Sequence, residues 1–204
     1  MIEPLEAAAE STRLDNVHRI LDAAERLFRH YGYAKTNVAD IARDLGMSPA
    51  NIYRFFSSKA DIHQAIAQRM LDAGHEAVLA IARLPLSAEE RLRQYGLQLH
   101  RMTVETMLDE EKVHEMVVVA LDQQWPVIEG HISRLDDVVA SIIRDGIAAG
   151  EFEEQDPIRA ARCFGACMVT LCHPQMVAQC LQKPNRANAD ELIEFALRSL
   201  KKNR

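Results

Sequence analysis

The sequence predicts an all-α fold, and three observations carry that expectation. Apolar residues recur at helical spacing in one segment after another, and no stretch alternates with the period of two that a half-buried strand requires. Ala, Leu, Arg and Glu are plentiful, whereas aromatics make up only 5% of the 204 residues. Glycine and proline number only 8 and 7, and several fall where a helix should stop or start. The length suits a small domain joined to a larger one, with about nine helices in all.

Taken in order, residues 1–12 read as a flexible tail. The first helix carries Val17, Ile20, Leu21, Ala24, Leu27, Phe28 and Tyr31 on one stripe and stops at Gly32. A short second helix runs to Leu45 with Val38, Ile41, Ala42 and Leu45 on one face, Thr36 as its expected N-cap and Gly46 as its stop. Ser48-Pro49 sets a capping hydroxyl before a proline, opening a third helix to Phe55. Ser58-Lys59-Ala60-Asp61 resembles a capping box for a long helix to about Arg83, and Ser87 to Glu90 is another for a helix to Met107. Further helices are expected over 110–122 and from Pro126 to Gly150. Asp156-Pro157 starts one that Pro174 should kink or break, and Asn188 to Glu191 caps a last one reaching Lys201.

Charge divides the chain. The net charge is −6, yet residues 13–59 carry a net +3. A basic head on an acidic body argues against wholesale polyanion binding and suits local contact with nucleic acid. The N-terminus is acidic without an apolar core, so no signal peptide is expected. The charge-free stretch from Cys163 to Gln182 contains His173, Pro174 and three glutamines, which reads as buried helix rather than membrane span. All four cysteines fall between 163 and 180, so a disulfide framework is not expected and a reducing cytoplasm is.

Residues 36–56 hold the most informative pattern. Two short helices joined by a glycine-containing turn are the sequence form of a helix-turn-helix. Their apolar residues face Leu27 and Phe28, which leaves Ser48, Ala50, Asn51, Tyr53 and Arg54 on the outer face or edges of the third helix. Small residues allow close approach to base edges, and Asn and Arg can bond adenine, guanine or phosphate. The residues Tyr31-Gly32-Tyr33, Thr36-x-Val38-x-x-Ile41-Ala42, Leu45-Gly46-Met47-Ser48 and Ile52-Tyr53-Arg54-Phe55-Phe56-x-Ser58-Lys59 closely resemble the TetR/AcrR (tetracycline-repressor) family of bacterial regulators. The likeness runs without insertion from Leu14 to about Asp61. Phe55 departs from it, since many members carry His or Tyr there.

The resemblance implies roles. Thr36 and the start of the second helix would meet a phosphate. Tyr53 and Lys59 would grip the backbone, and Ser48, Ala50, Asn51 and Arg54 would contact bases or backbone. It also implies a helix-turn-helix domain over 13–60, a regulatory and dimerisation domain over 61–204, and an operator on double-stranded DNA. A single helix-turn-helix covers about one half-site, so specific binding calls for two, set about 34–36 Å apart. Ala161, Gly165 and Cys172, with Leu192, Phe195 and Ala196, offer small and apolar surface for a homodimer. Tyr95, Leu99, Met102, Met116, Trp125, Phe164 and Met168 could line a cavity for a small apolar or amphipathic effector.

An alternative uses Cys163, Cys167, Cys172 and His173 as a metal or redox sensor, although paired C-x-x-C and H-x-x-x-H forms are missing. No cofactor is expected. Glycine-rich phosphate loops and G-x-S-x-G are absent, and His75-Glu76 and His114-Glu115 lack the second histidine of H-E-x-x-H, so an enzyme is not expected. The expectation is a cytoplasmic, homodimeric repressor that an effector releases from DNA.

Overall fold

In the computed structural model of the chain, residues 4–107, 119, 126–180, 183 and 186–201 are described. Among them all regular structure is helical. The elements are α1 (Pro4–Tyr31), α2 (Val38–Leu45), α3 (Pro49–Tyr53), α4 (Lys59–Ala82), α5 (Ala88–Met107), α6 (Pro126–Ala148), α7 (Pro157–Cys172), α8 (Pro174–Cys180) and α9 (Ala189–Arg198). The helix expected over 110–122 lies outside the described residues. No helix among the described residues is long and apolar enough to cross a membrane.

The boundaries follow local chemistry. Gly32, at φ 90°, ends α1 with its amide on the Phe28 carbonyl at 2.9 Å. Gly46, at φ 66°, ends α2 in the left-handed region that glycine adopts without a Cβ clash. Ser48 accepts from the Asn51 amide, Ser58 from Asp61 and Asn188 from Glu191, each supplying an acceptor to an otherwise orphan first-turn N–H. Pro174 breaks the charge-free segment into α7 and α8. Two carbonyls at the break find partners on α5, where His100 Nδ1 lies 2.9 Å from the Leu171 oxygen and the Thr103 hydroxyl donates to that of Cys172 at 3.2 Å.

Three expectations change. Residues 4–12 continue α1 as helix instead of forming a tail. α3 ends at Tyr53, two residues short, because Arg54 already stands as its C-cap. The N-cap of α2 is Asn37, not Thr36: Asn37 accepts from the Asp40 amide at 2.9 Å while Asp40 accepts from the Asn37 amide at 3.0 Å, a reciprocal capping box.

Two apolar cores result. The first joins Ile20, Ala24 and Phe28 of α1 to Ile41 of α2, Ile52 of α3, and Ile62 and Ile66 of α4. The second joins Val78 of α4 to Leu92 and Tyr95 of α5, Ile142 and Ile143 of α6, Phe164 and Met168 of α7, and Ile193 of α9. Packing here is close. A Cβ on Gly146 would meet the Phe152 ring at 2.3 Å and Ala88 at 2.8 Å. α4 belongs to both cores, so a border at residue 60 does not divide them. One helix runs through the head and into the body, with Ile66 and Val78 about 18 Å apart at the helical rise.

Candidate nucleic-acid interface

α3 is held by its inner side. Ile52 is fully buried in the head core, and Phe55 and Phe56 pack against that core at its C-terminal end. The opposite side is open. Ser48, Ala50 and Arg54 are exposed, Asn51 is half-buried at the edge, and Tyr53 is 52% exposed despite its aromatic ring. A large apolar ring turned outward beside an arginine, a serine and an amide has surface to offer a partner with both flat and anionic features. The structure therefore brings Ser48, Ala50, Asn51, Tyr53 and Arg54 onto one short exposed helix and its flanks.

The neighbouring charges are arranged by α1 and α2. Arg43 bonds Asp40 one turn earlier at 3.1 Å and is otherwise exposed. Arg26 of α1 pairs with Asp44 of α2. Lys35 is exposed in the turn before α2. Farther along, Arg69 of α4 donates to Asp22 at 2.6 Å and also to Glu25 of α1, so the head is tied to α4 by charge as well as by its apolar core. Nothing local in the sequence announces that pairing, since the partners lie 47 and 44 residues apart.

Two site residues stand elsewhere than expected. Thr36 is 2% exposed, and its hydroxyl donates to the Gly32 carbonyl at 3.0 Å, so it is not turned toward a phosphate. Lys59 also points inward. Its ammonium donates to the carbonyls of Tyr33 at 2.9 Å and Thr36 at 3.0 Å, and it lies 4.2 Å from the centre of the Tyr33 ring. Burial lowers its pKa from the ordinary lysine value. One turn further along α4, His63 packs edge-on to Phe28 and tilted over Tyr33. Its pKa falls to about 4 through burial and the Lys59 charge, which keeps the imidazole neutral at physiological pH.

In the body, Tyr95, Leu99, Phe164 and Met168 are buried core residues, with the Tyr95 and Phe164 rings 6.4 Å apart. Burial raises the Tyr95 phenol pKa, so that hydroxyl stays protonated. Met102 is half-buried with its Cε against Gly74 of α4, where a Cβ would come within 2.6 Å. Met116 and Trp125 lie outside the described residues. The expected dimer residues divide. Ala161 and Ala196 are buried in the chain's own core, where α7 meets α9, and are corrected to core residues. Gly165, Cys172 and Leu192 are half-buried, while Phe195 is 66% exposed on α9, with Val169 exposed on α7.

The metal or redox alternative finds no support. Cys163, Cys167 and Cys172 are free thiols, and no group of three or more His, Cys, Asp or Glu able to hold a metal forms among the described residues. Burial pushes the Cys172 thiol up to about 11, away from the reactive thiolate. His173 caps the end of α7 instead of joining a ligand set.

Comparison with known proteins fits this geometry. Residues 20–66 match the model of bacterial regulatory proteins of the tetR family, and residues 88–193 match a tetracyclin repressor-like C-terminal domain. The HTH-type transcriptional regulator TtgR of Pseudomonas putida is 37% identical over 90 residues. That match covers 44% of this chain and 39% of TtgR's length. A TetR/AcrR-family transcriptional regulator from Thermobifida fusca superposes with a TM-score of 0.63 at 25% identity, covering 90% of this chain and 95% of that one. A protein from Saccharomonospora viridis, solved in complex with choline, gives 0.60 at 25% identity over 89% and 93%.

Proposed function

The chain belongs to the tetR family of bacterial regulatory proteins, and on that premise we propose that it is a homodimeric repressor whose hold on operator DNA is relieved by a small apolar or amphipathic molecule. Members of the family are DNA-binding transcriptional regulators, not enzymes. The observation that carries the reading is the open outer side of α3, with Tyr53 and Arg54 exposed while Ile52 anchors the helix from beneath. Ser48, Ala50, Asn51 and Arg54 read the major groove, and Tyr53 steadies the phosphate backbone.

Two copies join through α7 and α9, where Phe195 and Val169 leave apolar surface uncovered. That pairing sets two copies of α3 on one face of the duplex. The effector enters the body near Tyr95, Leu99, Met102, Phe164 and Met168 by displacing packed side chains, with methionine the most adaptable of them. Because α4 runs through both cores, its displacement by a ligand changes the spacing of the two heads. Ligand and operator then compete through their differential affinity for two arrangements. The protein works in the cytoplasm, where operator and effector are both available.

Fluorescence anisotropy with duplexes from the regions flanking its own gene tests this reading, combined with the mass in solution by light scattering. The expected result is a dimer that prefers one fragment over a shuffled duplex, with affinity falling steeply as salt rises. A monomer without affinity for any duplex at low salt would refute it.

A further inference from the structure

The inward course of Lys59 closes a ring in the chain. α2 and α3 form one unit, entered through the turn Gly32–Thr36 and left through Ser57 and Ser58. Lys59, the first residue of α4, stands at the exit. Its ammonium bonds two carbonyls of the entry turn, 26 and 23 residues earlier, and leans on the ring of Tyr33. From the other side, the Thr36 hydroxyl ties the same turn to Gly32 at 3.0 Å. Entry and exit are therefore pinned to each other through one nitrogen, one residue before the Asn37 cap of α2.

We propose that Lys59 is a positioning residue for DNA recognition, its ammonium buckling together the two ends of the α2–α3 unit instead of gripping phosphate itself. This rests on the reading of α3 as the helix that meets DNA. A swing toward a phosphate would strip two carbonyls of a charged donor, and bonds to a charged group are the costly ones to leave unmade. The two residues whose carbonyls Lys59 holds are themselves covered, with Thr36 buried and Tyr33 half-buried beneath the ammonium, while Ala34 and Lys35 between them are exposed. The buckle also fixes the turn that enters α2 to the first turn of α4, so that movement of α4 in the body is passed to both ends of the α2–α3 unit. Ten residues later on the same helix, Arg69 ties α4 to α1 through Asp22 and Glu25.

The test uses the full chain carrying Lys59→Met, which keeps the stem and removes the donors. Two measurements are made: amide hydrogen exchange of the DNA-free protein, and the salt dependence of binding to a random-sequence duplex long enough for two successive major grooves. A buckle predicts exchange at residues 36–41 faster by about tenfold or more, the scale of losing bonds to a charged donor. It also predicts weaker duplex binding with the wild-type salt slope. A phosphate grip predicts wild-type exchange and a slope shallower by about 0.9 per half-site, and either of those two results overturns the proposal. Lys59→Arg is run in parallel and decides if the methionine variant does not fold. The two carbonyls converge on one nitrogen, whereas a guanidinium spreads its donors, so exchange should still rise; wild-type exchange together with wild-type binding would count against the buckle. A wild-type protein that ignores the duplex would sink the DNA reading instead, while the exchange measurement would still judge the buckle.

Discussion

Glu151 caps a helix that begins 63 residues before it: its carboxylate accepts the Ala88 amide at 3.1 Å and, through its other oxygen, the Glu89 amide at 3.1 Å. These are first-turn N–H groups of α5, which no intrahelical carbonyl can reach. Ser87 takes the next one, from Glu90, at 3.1 Å. A local cap and a distant one thus divide the work, and the distant one also locks the turn after α6 onto α5. Glu151→Ala should cost about 1 kcal/mol, lowering the midpoint of thermal unfolding by a few degrees for a chain of this size. Glu151→Gln, with one acceptor left, should fall between. A midpoint equal to wild type in the alanine variant would show that water serves those amides equally well.

His63 makes the head sensitive to acid. It is 2% exposed, and its pKa of about 4 lies below the ordinary 6.5. Between those values the unfolded chain holds the proton that the folded chain refuses, so the stability from the neutral ring is whole above about pH 6.5 and drains as pH falls toward 4. His131 of α6 is likewise lowered to about 4 by burial and by Arg134, and acts in the same direction. His63→Phe keeps a ring against Phe28 and Tyr33. It should flatten the fall in urea midpoint between pH 7.5 and pH 5, retaining about 1–2 kcal/mol that wild type loses there. Equal pH profiles for the two proteins would show that His63 is not the source.

How far the sequence could be read depends on the range of each interaction. Glycine stops, the Pro49 and Pro157 starts and the caps at Ser48, Ser58 and Asn188 are settled within four residues, and those boundaries were legible. Thr36 misleads because it and Asn37 are both good caps, and the choice is made by the Gly32 carbonyl, which claims the threonine hydroxyl. The outward face of α3 was legible because burial of Ile52 dictates what must point outward. The inward course of Lys59 was not, since an amine on a capped first turn reads as free to reach a phosphate until the fold brings two carbonyls to it. Nor could spacing divide core from interface on α7 and α9, where Ala196 is buried and Phe195, the very next position back, is not. Helical periodicity shows which residues are apolar together, and the partner that covers them is decided by the rest of the chain or by another copy of it.

Phe195 offers a test of that last point. At 66% exposure it leaves most of a large ring in water, on the helix that packs against α7. If two copies meet there, each assembly buries two such rings, worth about 1.5–3 kcal/mol apiece. Phe195→Glu should then weaken self-association by at least about a hundredfold while leaving helical content intact, because the side chain takes no part in the core. Sedimentation equilibrium reads the change directly. A variant that stays dimeric at micromolar concentration would move the interface to another face.

Asn51 and Tyr53 should separate reading from gripping. Asn51 sits at the edge of α3 with its amide N–H already committed to the Ser48 cap at 3.2 Å, so any role at DNA falls to its side chain. A carboxamide can bond both the N6 and N7 edges of an adenine, a pair that no other base presents. Asn51→Ala should therefore cost roughly 1–3 kcal/mol on the preferred operator and little on a shuffled duplex, relaxing choice at one base pair in each half-site. A Tyr53 that grips phosphate would make no such discrimination, since a phenol on phosphate meets the same group in every sequence. Tyr53→Ala should weaken operator and shuffled duplex by the same factor. Both variants are compared by competition on one labelled operator against unlabelled duplexes substituted one base pair at a time. Equal losses on operator and shuffled DNA for Asn51→Ala would remove it from base reading. A loss confined to the operator for Tyr53→Ala would place that ring among the bases and not on the backbone.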